Sequence, residues 1–159
     1  MSVKPIPDGY HTATSYIIVK GAAAALDFYK KAFNAEEVMR FEGPGGSVGH
    51  AEIKIGDSPI MLGDENPQWG AISPTTLGGT ASGICLYVRD CDAVFDRAVA
   101  AGATVAKPLQ DQFYGDRSGT VIDPFGHKWT ISTHIEDVSP EEMRRRHDEL
   151  MKKMGAGCG

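Results

Sequence analysis

The chain is poor in cysteine: Cys85, Cys91 and Cys158 are three in 159 residues, an odd number without a CxxC spacing. That excludes a disulfide framework and a zinc knuckle, and the three read as reduced thiols. Long apolar runs are missing as well. No stretch approaches the roughly 18 consecutive apolar residues that a membrane helix needs. The opening MSVKPIPDGYHT has neither an apolar signal core nor the basic, acid-poor look of a transit peptide. A soluble, cytoplasmic chain is expected. Positive charge is scarce: 16 Lys and Arg face 21 Asp and Glu, a net charge of −5. This argues against nucleic acid and anionic membrane as partners and leaves a small molecule. There is no G-x-S-x-G nucleophile elbow, no H-E-x-x-H helix and no glycine-rich loop entering a helix. The run Gly43-Pro44-Gly45-Gly46 falls between two strand candidates and reads as a turn.

What the sequence does contain is an internal repeat. Val19 to Ala35 can be laid over Val88 to Thr104 at an offset of 69 residues. Each copy opens on a β-branched or aromatic run, TSYIIV in the first and GICLYV in the second, and then turns to helical periodicity. Ala22, Ala25, Leu26, Tyr29, Ala32 and Phe33 share one helical face, as do Val94, Phe95, Ala98 and Ala101. Asn34 and Gly102 suit left-handed helix ends. Three strand candidates follow each helix: 37–42, 49–55 and 59–63, then 105–109, 117–122 and 128–133. The turns Gly56-Asp57-Ser58 and Asp123-Pro124-Phe125-Gly126-His127 fit hairpins. Residues 65–80 read as a linker able to border a site. Ser139 and Glu142 form a capping box around Pro140, opening a helix to about Met154. Its stripe Met143, His147, Leu150, Met151 and Met154 reads as a docking face against the core or a second subunit, with Arg144, Arg145 and Arg146 on its solvated side. The expected architecture is α+β: two tandem β-α-β-β-β modules (11–64 and 81–134) forming a curved mixed sheet around a cleft, in one domain over 1–137, and a C-terminal helix and tail over 138–159.

Alternation along the strands separates the two faces of each sheet. Ile17, Val19, Ala51, Ile53, Ile55, Leu86, Trp129 and Ile131 suit the helix-covered side. Thr14, Tyr16, His50, Glu52, Cys85, Tyr87 and Thr130 then face the other way. That side is too polar for a core and too aromatic for plain solvent exposure, as in a pocket. Tyr114 and Arg117 flank Gly115-Asp116 just before a strand; Arg117 either grips an anionic ligand or pairs with Asp116 or Asp123 to hold the loop. Cys85 reads as a small strand filler rather than a nucleophile, since no base is in view. Trp69 suits a lid or a subunit contact. His127 suits a hairpin brace, and His134 and His147 have no evident partners.

At these residues the sequence resembles the vicinal oxygen chelate superfamily, which includes glyoxalase I, extradiol dioxygenases, fosfomycin-resistance enzymes and bleomycin-binding proteins. The resemblance runs from about 11 to 134. It is carried by Asp27-Phe28-Tyr29-Lys30-Lys31-Ala32-Phe33, by Ala101-Gly102-Ala103 and by Asp123-Pro124-Phe125-Gly126-His127. The Ser15-Tyr16 opening, Gly56-Asp57-Ser58, Met61-Leu62 and Tyr114-Gly115-Asp116-Arg117 look like the PhnB-like branch. The resemblance implies a homodimer and a cleft with four metal-ligand positions. Those positions fall near Thr14, Met61, Gly83 and Thr130, none of which is an imidazole or carboxylate. It therefore implies a small-molecule-binding protein without the usual metal site, the ligand touching Thr14, Tyr16, His50, Glu52, Met61, Cys85, Tyr87, Tyr114, Arg117 and Thr130. The alternative is a metal-dependent lyase, isomerase or dioxygenase in which His50 and Glu52, with His11 or His127, hold a divalent ion at a displaced site.

Overall fold

The β-branched run after Thr14 forms strand β1 (Ser15–Val19), and helix α1 (Ala22–Phe33) follows after one turn. These elements belong to a computed structural model that describes residues 3–155; the reduced thiol expected at Cys158 lies outside the described residues. Gly21 precedes α1 with φ 93°, a left-handed conformation open to glycine. Glycine has no side chain to cap the helix, so a remote carboxylate does it. Asp64 accepts from the amides of Gly21 and Ala22 at 2.8 and 2.7 Å, placing negative charge at the helix N-terminus. In the second half Asp90 stands at the matching position and caps helix α3 (Cys91–Ala100) itself, through Ala93 at 3.0 Å. Asn34 closes α1 at φ 54°.

Strands β2 (Glu36–Glu42), β3 (Val48–Ile55) and β4 (Ser58–Asp64) complete the first module. β5 (Gly83–Tyr87), β6 (Thr104–Asp111), β7 (Asp116–Ile122) and β8 (Lys128–His134) build the second. Each module is a four-stranded mixed sheet of the same order, β1-β4-β3-β2 and β5-β8-β7-β6, with one parallel pair in each, β1 with β4 and β5 with β8. This is the expected α+β fold of tandem β-α-β-β-β units. The segment between the modules carries a 3-10 turn (Pro67–Trp69) and a short helix, α2 (Pro74–Leu77).

The core lies where the helix-covered faces meet, with α1 against α3. Leu26, Ile53, Leu62 and Ile131 are fully buried there, each contributing roughly 1.5–3 kcal/mol relative to exposure. The Trp129 ring sits 5.3 Å from that of Tyr29 and 4.7 Å from that of Phe33. Buried Asp123 ties this joint together: it accepts from the Tyr29 hydroxyl and the Trp129 indole N–H, both at 2.8 Å, and from the amides of Phe125 and His127, both at 2.9 Å. His127 braces the joint from the same turn, its Nε2 donating to the Ile18 carbonyl of edge strand β1 at 2.9 Å.

Helix α4 (Pro140–Gly155) starts at Ser139, whose hydroxyl accepts from the Glu142 amide at 3.2 Å. Arg146 ties it to Glu136 through two bonds of 2.7 Å. The apolar stripe does not dock on the core: Leu150, Met151 and Met154 remain exposed. Among the described residues no helix is long and apolar enough to cross a membrane.

Candidate functional site

Burial follows the alternation: Ala51 and Ile53 are inaccessible, while His50, Glu52 and Lys54 stay partly open on the opposite face. On that open face β2 sets Met39 opposite Glu52 and Phe41 opposite His50, and β4 sets Met61 opposite both Glu52 and, across the parallel pair, Tyr16. The polar groups join into one chain. Tyr10, just before β1, donates its hydroxyl to Glu52 Oε2. His50 Nε2 donates to Glu52 Oε1 at 3.3 Å, and the Tyr16 hydroxyl lies 3.1 Å from His50 Nδ1. With Glu52 ionised, this network assigns the proton to Nε2 and leaves Nδ1 to accept from Tyr16. The bond to the Glu52 carboxylate, with burial, pushes the Tyr10 hydroxyl up to about 12. Phe41 stacks on the His50 ring at 6.1 Å, and Tyr16 and Phe41 are 49% and 60% exposed. Beside Tyr16 opens a hollow of about 380 Å³, bordered by Ile18, Gly49, Ala71 and Trp69.

The second module's open face is more polar. Thr130 and Thr120 face each other at 3.1 Å, and with Tyr114, Lys107 and Gln110 they line a hollow of about 240 Å³. Tyr87 donates to Asp116 at 2.7 Å, which pushes its own hydroxyl up to about 12. Asp116 is buried and also holds His134 Nδ1 at 2.8 Å, so His134 has a partner that spacing alone did not reveal. His147 lies against the Phe113 ring at 5.7 Å and near Asp148. Cys85 lies opposite Thr130 and has the Ser132 hydroxyl 3.8 Å from its sulfur, and no base within hydrogen-bond reach among the described residues. Arg117 turns to the helix side. Its guanidinium grips Asp92 with two bonds of 2.8 Å and Asp111 with one of 3.0 Å. The loop-holding role is therefore filled by partners other than Asp116 and Asp123. The ten expected site residues are thus not brought into one pocket: Tyr16, His50, Glu52 and Met61 share the first face, and Cys85, Tyr87, Tyr114 and Thr130 the second, where Cys85 and Tyr87 also border the groove between the modules. Thr14 immediately precedes β1 on the first face.

Tyr10, Met39, Phe41 and Gly63 join the first face without having been singled out from the sequence. Cross-strand pairing would have found Met39 and Phe41. Nothing marks Tyr10, because it lies outside any periodic segment. Gly63 earns its place sterically: a Cβ there would stand 2.7 Å from the Gly49 carbonyl oxygen and 3.2 Å from the Tyr16 hydroxyl.

The donor set does not fit the divalent metal that the resemblance implies. Thr14, Met61, Gly83 and Thr130 offer no imidazole or carboxylate. Both nitrogens of His50 and both oxygens of Glu52 are occupied within the chain just described. His11 is exposed, His127 is spent on Ile18, and among the described residues no three His, Cys, Asp or Glu side chains are grouped to hold an ion.

Two β-α-β-β-β modules joined through their helices, each presenting an open sheet face with a small hollow, define the glyoxalase-like class of α+β proteins. Residues 10–131 match the model of the Glyoxalase/Bleomycin resistance protein/Dioxygenase superfamily, and the chain belongs to that family. It is 46% identical over 132 residues to an uncharacterized protein of Mycobacterium bovis, covering 81% of this chain and 87% of that one. Among solved structures it resembles TioX from Micromonospora sp. ML1, with TM-score 0.62 and 24% identity, over 81% of this chain and all of that one. It likewise resembles a putative 3-demethylubiquinone-9 3-methyltransferase, PhnB protein, from Bacillus cereus, with TM-score 0.59 and 21% identity, over 77% and 99% of the two chains. At these identities the two structures speak for the fold.

Proposed function

We propose that the protein binds a small molecule with aromatic or other apolar surface on the open face of the first module, without a metal ion. The single observation that carries this reading is the closed chain Tyr10–Glu52–His50–Tyr16. A metal site needs lone pairs aimed at one point, whereas here both imidazole nitrogens and both carboxylate oxygens are engaged in hydrogen bonds within the chain. What the face offers instead is the exposed surface of Tyr16 and Phe41, the thioethers of Met39 and Met61, and the Tyr16 oxygen, whose lone pairs can accept one hydrogen bond from a ligand. The metal-dependent lyase, isomerase or dioxygenase would have to break two of these internal bonds first.

The same reading makes the protein a cytoplasmic homodimer of the PhnB-like branch, the branch being supported by the motifs Ser15-Tyr16, Met61-Leu62 and Tyr114-Gly115-Asp116-Arg117. Support for the dimer comes from apolar surface that one copy leaves open on α4: Leu150, Met151 and Met154. Metal analysis of untagged protein, prepared without added metal, tests the central reading together with manganese and zinc titrations. It predicts no stoichiometric metal and no saturable uptake at one ion per chain. One equivalent of bound metal that disappears in both His50→Ala and Glu52→Ala would overturn it.

A further inference from the structure

We infer that the groove between the two modules is a second binding site, for an organic anion with an apolar body. The inference stands independently of the function proposed for the first face. The groove encloses about 620 Å³, a volume suited to a small metabolite. Its floor is apolar, with buried Phe33 and Leu86 and half-buried Val94. Lys54 from β3, Arg89 from the turn after β5 and Arg97 from α3 line it. Among the described residues none of these three cations forms an ion pair. Arg144 and Lys31 are likewise without an ion pair among the described residues, so what sets the three apart is their convergence on one groove with an apolar floor.

Arg97 is also aimed. Its Nε donates to the Ala32 carbonyl near the end of α1 at 3.2 Å, which anchors the guanidinium and leaves both terminal amino groups without a partner among the described residues. A planar fork held in this way matches the two oxygens of a carboxylate, phosphate or sulfonate. Two acids also border the groove. Glu36 is the cross-strand neighbour of Lys54 and balances that charge, and Asp57 is exposed and accepts from Ser58 at 2.9 Å. The guanidiniums of Arg89 and Arg97 remain for the ligand's head group, with the apolar floor for its body.

Fluorescence titration of the full chain with 8-anilinonaphthalene-1-sulfonate tests the site, because that probe joins an aromatic body to an anion. One saturable site per chain is expected. Replacing one charge-assisted contact costs about one factor of ten in affinity. Arg89→Gln and Arg97→Gln should each raise Kd about tenfold, and the uncharged N-phenyl-1-naphthylamine should bind about tenfold more weakly. Arg97→Lys, which keeps the charge but loses the fork, should fall between wild type and Arg97→Gln. Lys31→Gln, on an exposed lysine outside the groove, should change nothing. Competition by benzoate or phenyl phosphate identifies the preferred head group, and failure of both to displace the probe overturns the proposal. So does equal affinity for the neutral probe, or unchanged affinity in Arg89→Gln, an exposed position that leaves the fold intact. Loss of probe in His50→Ala with retention in both arginine variants would put the probe on the first face and sink the groove site alone.

Discussion

Replacing Gly63 by alanine should disturb stability and the first face together. The added Cβ would stand 2.7 Å from the Gly49 carbonyl oxygen, inside any normal contact, and 3.2 Å from the Tyr16 hydroxyl. The first neighbour is backbone of β3 and gives way only if the β3–β4 ladder shifts. The second is the hydroxyl that reaches His50. Overpacking of this kind costs about 1–3 kcal/mol, while the reduced freedom of the unfolded chain returns about 0.4–1 kcal/mol. A net loss of about 1–2 kcal/mol is expected, which for a chain of this size lowers Tm by about 2–8 °C. Gly49→Ala is the matched control, since a Cβ there meets nothing within 4 Å, and it should melt at or slightly above the wild-type temperature. Calorimetry gives the two Tm values, and NMR of the His50 ring reports whether Tyr16 has moved. Equal melting temperatures for the two variants, with an unchanged His50 signal, would refute the steric reasoning.

Asp123→Ala strands a buried hydroxyl, an indole N–H and two amides; urea denaturation should show a loss of about 3–5 kcal/mol, and a loss under 1 kcal/mol would contradict its role at the joint. The hydrogen bond that His134 donates to the Asp116 carboxylate, aided by Asp137, raises the pKa of His134 above its ordinary 6.5. Its stabilising contribution is therefore full below the unfolded value and fades as pH rises through the raised one; NMR titration of Asp116→Asn should show the His134 midpoint falling. Sedimentation should give a two-copy mass for the full chain and a shift toward one copy after truncation at Asp137, whereas an unchanged mass would leave α4 without a part in assembly.

Much of the fold was legible because periodicity and turn chemistry agreed. The strand runs at 15–19 and 83–87, the apolar helix face from Ala22 to Phe33 and the Ser139 cap all appear where composition puts them, with strand ends differing by a residue or two. The sorting of faces also followed from alternation, as Ala51 and Ile53 against His50 and Glu52 illustrate. What sequence could not supply was the partner of each polar group. Arg117 lies on a strand next to Asp116 yet bonds to Asp92 on α3, because alternate residues point to opposite sides. Asp64, Asp123 and Asp116 take up backbone amides, indole, tyrosine and histidine groups from 6 to 94 positions away, distances that no local pattern encodes. The division of the expected site among two faces and an intermodule groove likewise depends on how the modules pack, which neither module's repeat specifies.

The most direct test of the central claim is a crystal structure of untagged protein purified without added metal and then soaked in manganese. The account predicts that the Tyr10–Glu52–His50–Tyr16 chain persists, that no anomalous manganese signal lies between His50 and Glu52, and that any co-purified organic molecule on the first face contacts Tyr16 and Phe41. Manganese bound by His50 and Glu52, with Tyr10 displaced, would contradict it.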